Sequence, residues 1–504
     1  MLLTTYNDYM QHIAILGRQP ALGMAELETV YSAKAICVLS KQAVRIESNH
    51  LDVQQFGGIP KAGKIIIDLP TSDWHQISQR LVQHYVNAWS SFDCKITLGI
   101  SAYGFKIDAR EVQKTGIILK QKLKKSGISL RLIPNPEPAL STAISHHNKL
   151  GLSPNKIEIL IVRADNGKVT IAESTGSQNI TAYAKRDQLR PKRDAFIGML
   201  PPKLAQIMIN LAVSDNQKIG TVIPISSERL RAGSDKGPDA LSNSGCRCSE
   251  ETGITMPNAQ SSNSSVNKTP KNNPIYVNRT RVIDATAING TLEPGFNKAP
   301  GPLVDPERSS AVNCSASINE QKQIRILDPF CGTGVILQEA ALMGYSVYGT
   351  DLSEKMIRYS RDNLNWLADS HHIQFDWYLH EGDAMNTKWQ QPIDAVVSEA
   401  YLGQPFSAPP SPAKLDEVKQ NCNHIITEFL KNLSNQIAPN TSICIAVPAW
   451  QNNNGQFTHL PLISTIGRLG YKRHEFINVS QNDLLYYRKD QIVARELLIL
   501  KKVK

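Results

Sequence analysis

Residues 324–341 read IRILDPFCGTGVILQEAA, and this stretch decides the predicted fold. Its opening, residues 324–327, is mostly apolar, as expected of a strand buried in a parallel sheet. The glycines at positions 332 and 334 permit a tight turn and a close approach of the backbone to a ligand. Apolar positions at helical spacing follow. A strand, a glycine turn and a helix in this order predict the ligand cradle of a Rossmann-like α/β domain.

Two further strand ends complete the candidate ligand site. Residues 346–349 predict a second strand that leads to Asp351, whose carboxylate can accept hydrogen bonds from both hydroxyls of a ribose. A third strand, at about residues 373–379, leads to Asp383, which can accept from an adenine amino group while an apolar neighbour packs on the ring. The predicted cofactor-binding residues are Asp328, Phe330, Gly332, Gly334, Asp351, Leu352, Asp383 and Ala384.

The spacing of the glycines bears on which ligand the turn can hold. A nicotinamide dinucleotide would suit the same strand order, but the G-x-G-x-x-G pattern is not met, since Leu337 stands where the third glycine belongs. A phosphate-binding P-loop is also absent from the sequence. Without a pyrophosphate to cradle, an adenosine that carries an amino-acid tail is the better fit.

A fourth predicted strand, residues 394–397, delivers the segment Ser398–Gly403 to the same edge of the sheet. There the carboxylate of Glu399 can hold an exocyclic amine, and the ring of Tyr401 can stack on a base. We therefore predict these two residues as the catalytic pair. The segment contains no cysteine, which disfavours a covalent cysteine adduct, and Cys331 in the glycine turn is predicted to pack rather than to react.

Composition narrows the class of protein. The 504 residues contain 55 Lys and Arg against 45 Asp and Glu, and this excess of positive charge fits a polyanionic partner. No stretch approaches the roughly 20 consecutive apolar residues of a membrane span, and the polar start does not resemble a signal peptide. We therefore expect a cytoplasmic protein. Eight scattered cysteines fit reduced side chains, and the close pair Cys246 and Cys248 lacks nearby histidines, so no metal is predicted.

The N-terminal half alternates predicted strands with helices. A helix from about Arg110 to Lys125 carries five lysines, which form either a solvated face or an RNA-facing surface. Beyond a basic connector and a helix that starts near Pro202, residues 214–323 are rich in Ser, Asn, Pro, Gly and Thr. Such a composition cannot easily offset its own ordering entropy, so we predict a disordered insertion.

Taken together, these segments resemble the THUMP-domain tRNA guanine-N2 methyltransferases that modify position 10. The resemblance rests on residues 328–341, on the Leu-Pro-Pro-Lys-Leu-Ala stretch at 200–205, and on the C-terminal segments 486–489 and 493–496. It implies S-adenosylmethionine as cofactor, tRNA as partner and methylation of a base amine; it gives no oligomeric state. The implied organisation is a ferredoxin-like domain at 1–85, a THUMP domain at 86–185, a basic linker and helix at 186–213, the insertion at 214–323 and a Rossmann-like methyltransferase domain at 324–504.

One motif departs from that family. Its reactive motif is normally Asp-Pro-Pro-Tyr, whereas this chain has Glu399-Ala400-Tyr401-Leu402. Glutamate keeps the carboxylate one methylene further out, but the rigid turn that the prolines supply is lost. Two alternatives therefore stay open: an RNA-binding protein whose methyltransferase domain is catalytically weak, and an enzyme that methylates an amine of another nucleic-acid base.

Overall fold

The computed structural model describes the chain on both sides of the predicted insertion. Residues 214–323 lie outside the described residues apart from Gln323, and so do Cys246 and Cys248. The described ranges are 10–194, 200–213, 323–390, 392–404, 406, 410–452, 454–488 and 491–503.

The N-terminal half of the described chain forms one eight-stranded sheet. Its strands are β1 (Gln11–Ile15), β2 (Ile36–Ser40), β3 (Ala43–Glu47), β4 (Lys61–Leu69), β5 (Ile96–Tyr103), β6 (Leu130–Leu132), β7 (Lys156–Arg163) and β8 (Val169–Ser177). They lie in the order β2-β3-β1-β4-β8-β7-β5-β6. The helices are α1 (Pro20–Tyr31), α2 (Trp74–Ala88), α3 (Ala109–Lys125), α4 (Thr142–His147), α5 (Ile180–Gln188) and α6 (Pro202–Ala212). The helix predicted at 110–125 is thus confirmed as α3.

This sheet runs across the boundary that the sequence predicts at residue 85. Strand β4 pairs antiparallel with β8, with Lys64 opposite Glu173 and Leu69 opposite Val169. Residue 85 itself lies inside α2. The predicted ferredoxin-like and THUMP ranges therefore share one hydrogen-bonded sheet, and their division remains a prediction.

The C-terminal part of the described chain forms a second sheet, of nine strands. These are β9 (Arg325–Asp328), β10 (Ser346–Asp351), β11 (Trp377–Glu381), β12 (Ala395–Glu399), β13 (Ser442–Gln451), β14 (Phe457–Thr458), β15 (Tyr471–Arg473), β16 (Leu485–Tyr486) and β17 (Val493–Lys502). The helices are α7 (Val335–Leu342), α8 (Glu354–His371) and α9 (Pro412–Ser434).

The order of this sheet is β11-β10-β9-β12-β13-β17-β15. Strands β9 to β13 run parallel to one another, while β17 pairs antiparallel with β13 and with β15. Residues Leu327 and Val396 in the two central strands are fully buried, because helices cover both faces of a parallel sheet. The predicted Rossmann-like α/β fold is confirmed.

Helix α6 lies between the two halves of the structure. Every residue in it except Lys203 is buried. Its two buried amides, Gln206 and Asn210, donate hydrogen bonds to the carbonyl oxygens of Gln54 and Gln55, at 2.7 and 2.8 Å. It packs against α1 of the N-terminal half and against α7, β12 and β13 of the C-terminal half. The residues that flank the predicted insertion, Val213 and Ile324, belong to the same hydrophobic core.

Hydrogen bonds also connect the two halves of the structure. The carboxylate of Glu28 in α1 accepts hydrogen bonds from the backbone nitrogens of Ile477 and Asn478, at 2.5 and 3.0 Å. The side-chain amide of Gln19 donates to the carbonyl oxygen of Tyr487 at 2.6 Å. The C-terminal segment is therefore bound to the first helix of the N-terminal half.

Candidate active site

The candidate site lies where the parallel strands of the second sheet end. The first residue of the predicted set, Asp328, ends β9 and is 1% exposed. Its Oδ1 accepts a hydrogen bond from the hydroxyl of Ser398 at 2.6 Å and one from the backbone nitrogen of Phe330 at 3.3 Å. Asp328 therefore lies beneath the turn and ties it to the neighbouring strand β12.

Burial raises the pKa of Asp328 to about 8, against the opposing effect of the hydrogen bonds from Ser398 and Phe330. An aspartate in the unfolded chain titrates near pH 4, so between about pH 4 and 8 the folded state holds a proton that the unfolded state has released. The contribution of this group to stability is thus fully present below about pH 4 and lost as the pH rises through about 8.

We expect the melting temperature of the wild type to fall between about pH 4 and 8 for this reason. Asp328→Asn keeps a neutral acceptor for Ser398, so the melting temperature of this variant should fall less over the same range. An unchanged pH dependence would contradict the assignment.

The two glycines of the turn have different surroundings. Both adopt left-handed backbone, with φ of 52° at Gly332 and 79° at Gly334. A Cβ on Gly334 would lie 2.8 Å from the hydroxyl oxygen of Ser360, whereas a Cβ on Gly332 would meet nothing within 4 Å. Gly334 is therefore needed for packing against α8, and Gly332 faces open space that a ligand can use.

Asp351 connects the second strand end to this turn. Its Oδ2 accepts from the backbone nitrogen of Gly332 and its Oδ1 from that of Ser353, both at 2.9 Å. Partial burial raises its pKa. Each carboxylate oxygen can accept a second hydrogen bond, so the predicted contact with ribose hydroxyls is compatible with this geometry. The side chain of Leu352, next in sequence, is 72% exposed.

The third strand end contributes Asp383 and Ala384. The backbone nitrogen of Gly382 donates to the carbonyl oxygen of Asp351 at 2.9 Å, which joins the two strand ends. The carboxylate of Asp383 accepts from the backbone nitrogen of Met385 at 2.9 Å and so shapes its own turn. Ala384 is 3% exposed and packs in the core, so its side chain is turned away from solvent.

Phe330 completes the predicted cofactor set. Its ring packs edge-on against the ring of Phe429 in α9, with centroids 5.1 Å apart. The neighbouring Cys331 is buried, and burial raises the pKa of its thiol well above the ordinary value. A thiolate is the reactive form of cysteine, which agrees with the prediction that Cys331 packs rather than reacts.

The predicted catalytic residues differ in their exposure. Glu399 ends β12 and forms an ion pair through its Oε1 with Nε of Arg495 in β17. The arginine reaches across β13, and the two side chains are 9% and 18% exposed, for Arg495 and Glu399 in turn. Tyr401 is 39% exposed, and partial burial raises its pKa. One oxygen of Glu399 is therefore bound by a cation, while the Tyr401 ring is accessible from solvent.

Four residues that contact the predicted site were given no role from the sequence. Ser398 and Arg495 bind Asp328 and Glu399, and Ser360 and Asn363 bind the glycine turn from α8. Arg495 stands in a segment on which the family resemblance rests, but nothing in that segment indicates its partner. Ser360 is fully buried in α8, and a buried polar side chain is normally hydrogen-bonded.

Two other kinds of site are absent from the residues that the structure describes. No helix in them is both long and apolar enough to cross a membrane. Within the same residues, no group of three or more histidine, cysteine, aspartate or glutamate side chains is arranged to hold a metal ion.

Residues 320–476 match the family described as a methyltransferase domain. This range contains the glycine turn, Asp351, Asp383 and Glu399. The presence of a methyltransferase domain on the second sheet is therefore confirmed, and its predicted bounds of 324–504 remain a prediction.

Relatives of this chain point in the same direction. The tRNA (guanine(10)-N2)-dimethyltransferase of Methanothermobacter thermautotrophicus is 33% identical over 124 residues, which are 25% of this chain and 33% of that protein. The protein with the same name from Pyrococcus abyssi is 37% identical over 94 residues, 18% of this chain and 24% of that protein. The match thus spans a third or less of these relatives. Their names agree with the predicted resemblance.

Among solved structures, TrmN from Thermus thermophilus aligns with 98% of this chain and 100% of its own, at 12% identity and a TM-score of 0.45.

Proposed function

We propose that this protein transfers a methyl group from S-adenosylmethionine to the exocyclic N2 amine of a guanosine in tRNA, in the cytoplasm. The observation that carries the proposal is the meeting of a cofactor turn and a carboxylate at one sheet edge. Gly332 binds Asp351, Asp328 binds Ser398, and Glu399 is the next residue after Ser398. The names of the relatives support tRNA as the substrate.

The described residues fit the proposed cofactor. The open space at Gly332 admits the amino-acid tail, the free lone pairs of Asp351 suit a ribose, and the exposed Leu352 offers apolar surface to an adenine ring. Asp383 and Ala384 lie beside this position because Gly382 is bound to Asp351. In our proposal the contact at Ala384 is made by its backbone, since its side chain is in the core.

The two turn glycines provide a matched test of this cofactor site. Alanine at either position incurs left-handed strain of roughly 1–2 kcal/mol. Gly332→Ala adds a methyl group to the open space, so we expect the dissociation constant for S-adenosylhomocysteine to rise about tenfold, equal to ~1.4 kcal/mol. Gly334→Ala collides with Ser360 and should lower the free energy of unfolding by a further ~1–3 kcal/mol. Calorimetric binding and denaturant titrations measure the two effects, and equal effects of both variants on binding and stability would contradict the assignment.

The proposed acceptor site consists of Glu399 and Tyr401. Bound S-adenosylmethionine supplies an electrophilic methyl group on its sulfonium. The free oxygen of Glu399 would accept a hydrogen bond from the guanine amine and direct the nitrogen toward that methyl group. When the N–C bond forms, the electron pair of the broken S–C bond stays on sulfur, and the proton that the amine gives up can leave through the hydrogen bond to Glu399. Tyr401, exposed at the same edge, stacks on the base. Arg495 fixes the other oxygen of Glu399, so the carboxylate acts as an oriented acceptor.

A basic surface supports the proposed tRNA partner. The lysines that the sequence places on α3 are all exposed: Lys114, Lys120, Lys122, Lys124 and Lys125. Phosphates gain affinity from such side chains because bound counterions are released. Together with the methyltransferase domain, these lysines favour an RNA-facing surface over a solvated helix face.

One observation favours a second candidate function. The segment Glu399–Leu402 lacks the two prolines of the family's reactive motif. One of the two carboxylate oxygens of Glu399 is bound by Arg495. An RNA-binding protein with weak methyltransferase activity fits this arrangement, as does an enzyme for an amine of another base.

Mass spectrometry of nucleosides tests these functions against one another. Unmodified tRNA is incubated with the full chain and S-adenosylmethionine, then digested. New N2-methylguanosine or N2,N2-dimethylguanosine supports the proposal. A methylated nucleoside of another base changes the target, and cofactor and tRNA binding without any product supports the binding protein.

A further inference from the structure

The residues that link the two halves are bound to the helices behind the glycine turn. We call residues 186–194, which comprise the end of α5 and the residues after it, the connector. Arg186 binds Glu339 of α7 through two hydrogen bonds, from Nε to Oε1 at 2.7 Å and from a terminal nitrogen to Oε2 at 3.0 Å. Glu339 is 3% exposed. Such a bidentate pair fixes orientation as well as distance, so the connector is seated on the helix that starts directly after Gly334.

A second contact joins the connector to the turn itself through one side chain. Asn363 in α8 is fully buried. Its Oδ1 accepts from the backbone nitrogen of Lys192 at 2.9 Å, and its Nδ2 donates to the carbonyl oxygen of Lys192 at 3.0 Å. The same Nδ2 also donates to the carbonyl oxygen of Thr333, between the two turn glycines, at 2.8 Å. Both N–H groups of this amide are therefore used.

Ser360, about one helical turn before Asn363 in α8, also contacts the glycine turn. Its hydroxyl donates to the carbonyl oxygen of Gly332 at 2.8 Å. Ser360 and Asn363 thus hold two consecutive carbonyl groups of the turn from behind, and the peptide planes between them are fixed. The orientation of these planes sets where the backbone can meet a ligand at Gly332.

We propose that Asn363 is a positioning residue that makes cofactor affinity depend on the seating of the connector at Lys192. The inference rests on the proposed cofactor site. A buried amide that loses its partners costs about 1–3 kcal/mol. If the Lys192 backbone leaves, Asn363 must therefore turn toward other partners and releases Thr333. The turn then loses one of its two supports.

The test separates the backbone of Lys192 from its side chain. Lys192→Pro removes the N–H group that donates a hydrogen bond to Oδ1 of Asn363. Lys192→Ala keeps this N–H group and deletes the side chain beyond Cβ, whose ammonium group lies 3.5 Å from Asp362 and 5.5 Å from the centre of the Tyr359 ring. Such an exposed pair is worth little. Binding of S-adenosylhomocysteine to the full chain is measured by calorimetry. We expect about tenfold weaker binding for Lys192→Pro and less than a twofold change for Lys192→Ala.

A double-mutant cycle with Asn363→Ala controls for distortion by proline. If Lys192 acts through Asn363, the proline should have little further effect in that background. Proline that weakens binding equally in both backgrounds, or alanine that weakens it as much as proline, overturns the inference. If the wild type binds S-adenosylhomocysteine and Lys192→Pro binds it equally well, this inference is wrong while the proposed cofactor stands. A wild-type chain that binds no S-adenosylhomocysteine overturns the proposed cofactor together with it.

Discussion

Glu399→Gln is expected to lower the rate constant of methyl transfer about a hundredfold, the effect that loss of correct orientation at a reacting group produces. Glutamine keeps the size of the side chain, but its neutral amide is a weaker acceptor for the guanine amine. It also breaks the ion pair with Arg495. The measurement is the initial rate with unmodified tRNA over a range of cofactor concentrations, and we expect kcat to fall while KM for S-adenosylmethionine changes little.

Two variants control this prediction. Glu417→Gln makes the same chemical change at a 67% exposed position in α9, where the partner is Lys414, and its rate should equal that of the wild type. Glu399→Asp keeps a carboxylate that is one methylene shorter, and we expect an intermediate rate. A Glu399→Gln enzyme within threefold of the wild type would mean that the carboxylate does not hold the acceptor.

Lys61→Met is expected to lower the free energy of unfolding by about 3–5 kcal/mol, the cost of leaving one partner of a buried ion pair alone. Nζ of Lys61 lies 2.5 Å from Oε1 of Glu158 and 2.7 Å from the carbonyl oxygen of Leu140. The side chains of the pair are 2% and 0% exposed. Burial lowers the pKa of Lys61, although Glu158 opposes the shift. Denaturant unfolding followed by circular dichroism measures the loss.

A double variant shows whether the unpaired carboxylate causes that loss. Glu158→Gln removes the charge and keeps an oxygen to accept from the hydroxyl of Ser101, which lies 2.6 Å from Oε1. Lys61→Met combined with Glu158→Gln should therefore recover more than half of the stability. If the double variant is as unstable as the single one, lost packing at position 61 is the cause instead. The ion pair connects β4 with β7, two strands of the N-terminal sheet.

The elements around the site could be predicted closely from local sequence. Strands predicted at 346–349 and 394–397 are β10 and β12, and the glycine turn begins where β9 ends. These strands are short apolar runs buried on both faces, and their signal does not depend on distant residues. The third strand was predicted at 373–379 and lies at Trp377–Glu381, because α8 continues to His371. This edge strand is half-buried and its pattern is weaker.

The contacts that give the site its character could not be predicted in this way. Glu399 and Arg495 are 96 positions apart, and Lys192 and Asn363 are 171 apart. A sequence pattern specifies which face of an element is buried, but it does not specify which polar side chain lies opposite. The pairing of β4 with β8 could not be predicted either, for the same reason. It joins the ranges 1–85 and 86–185, which we predict from the sequence as separate domains.

The shared core at Val213 and Ile324 has a consequence for the stability of the two halves. Apolar residues of α1 and α6 pack in this core together with residues of the second sheet. If one half lost its structure, apolar side chains of the other half would become exposed to water, which is unfavourable. The stability of each half therefore depends on that of the other.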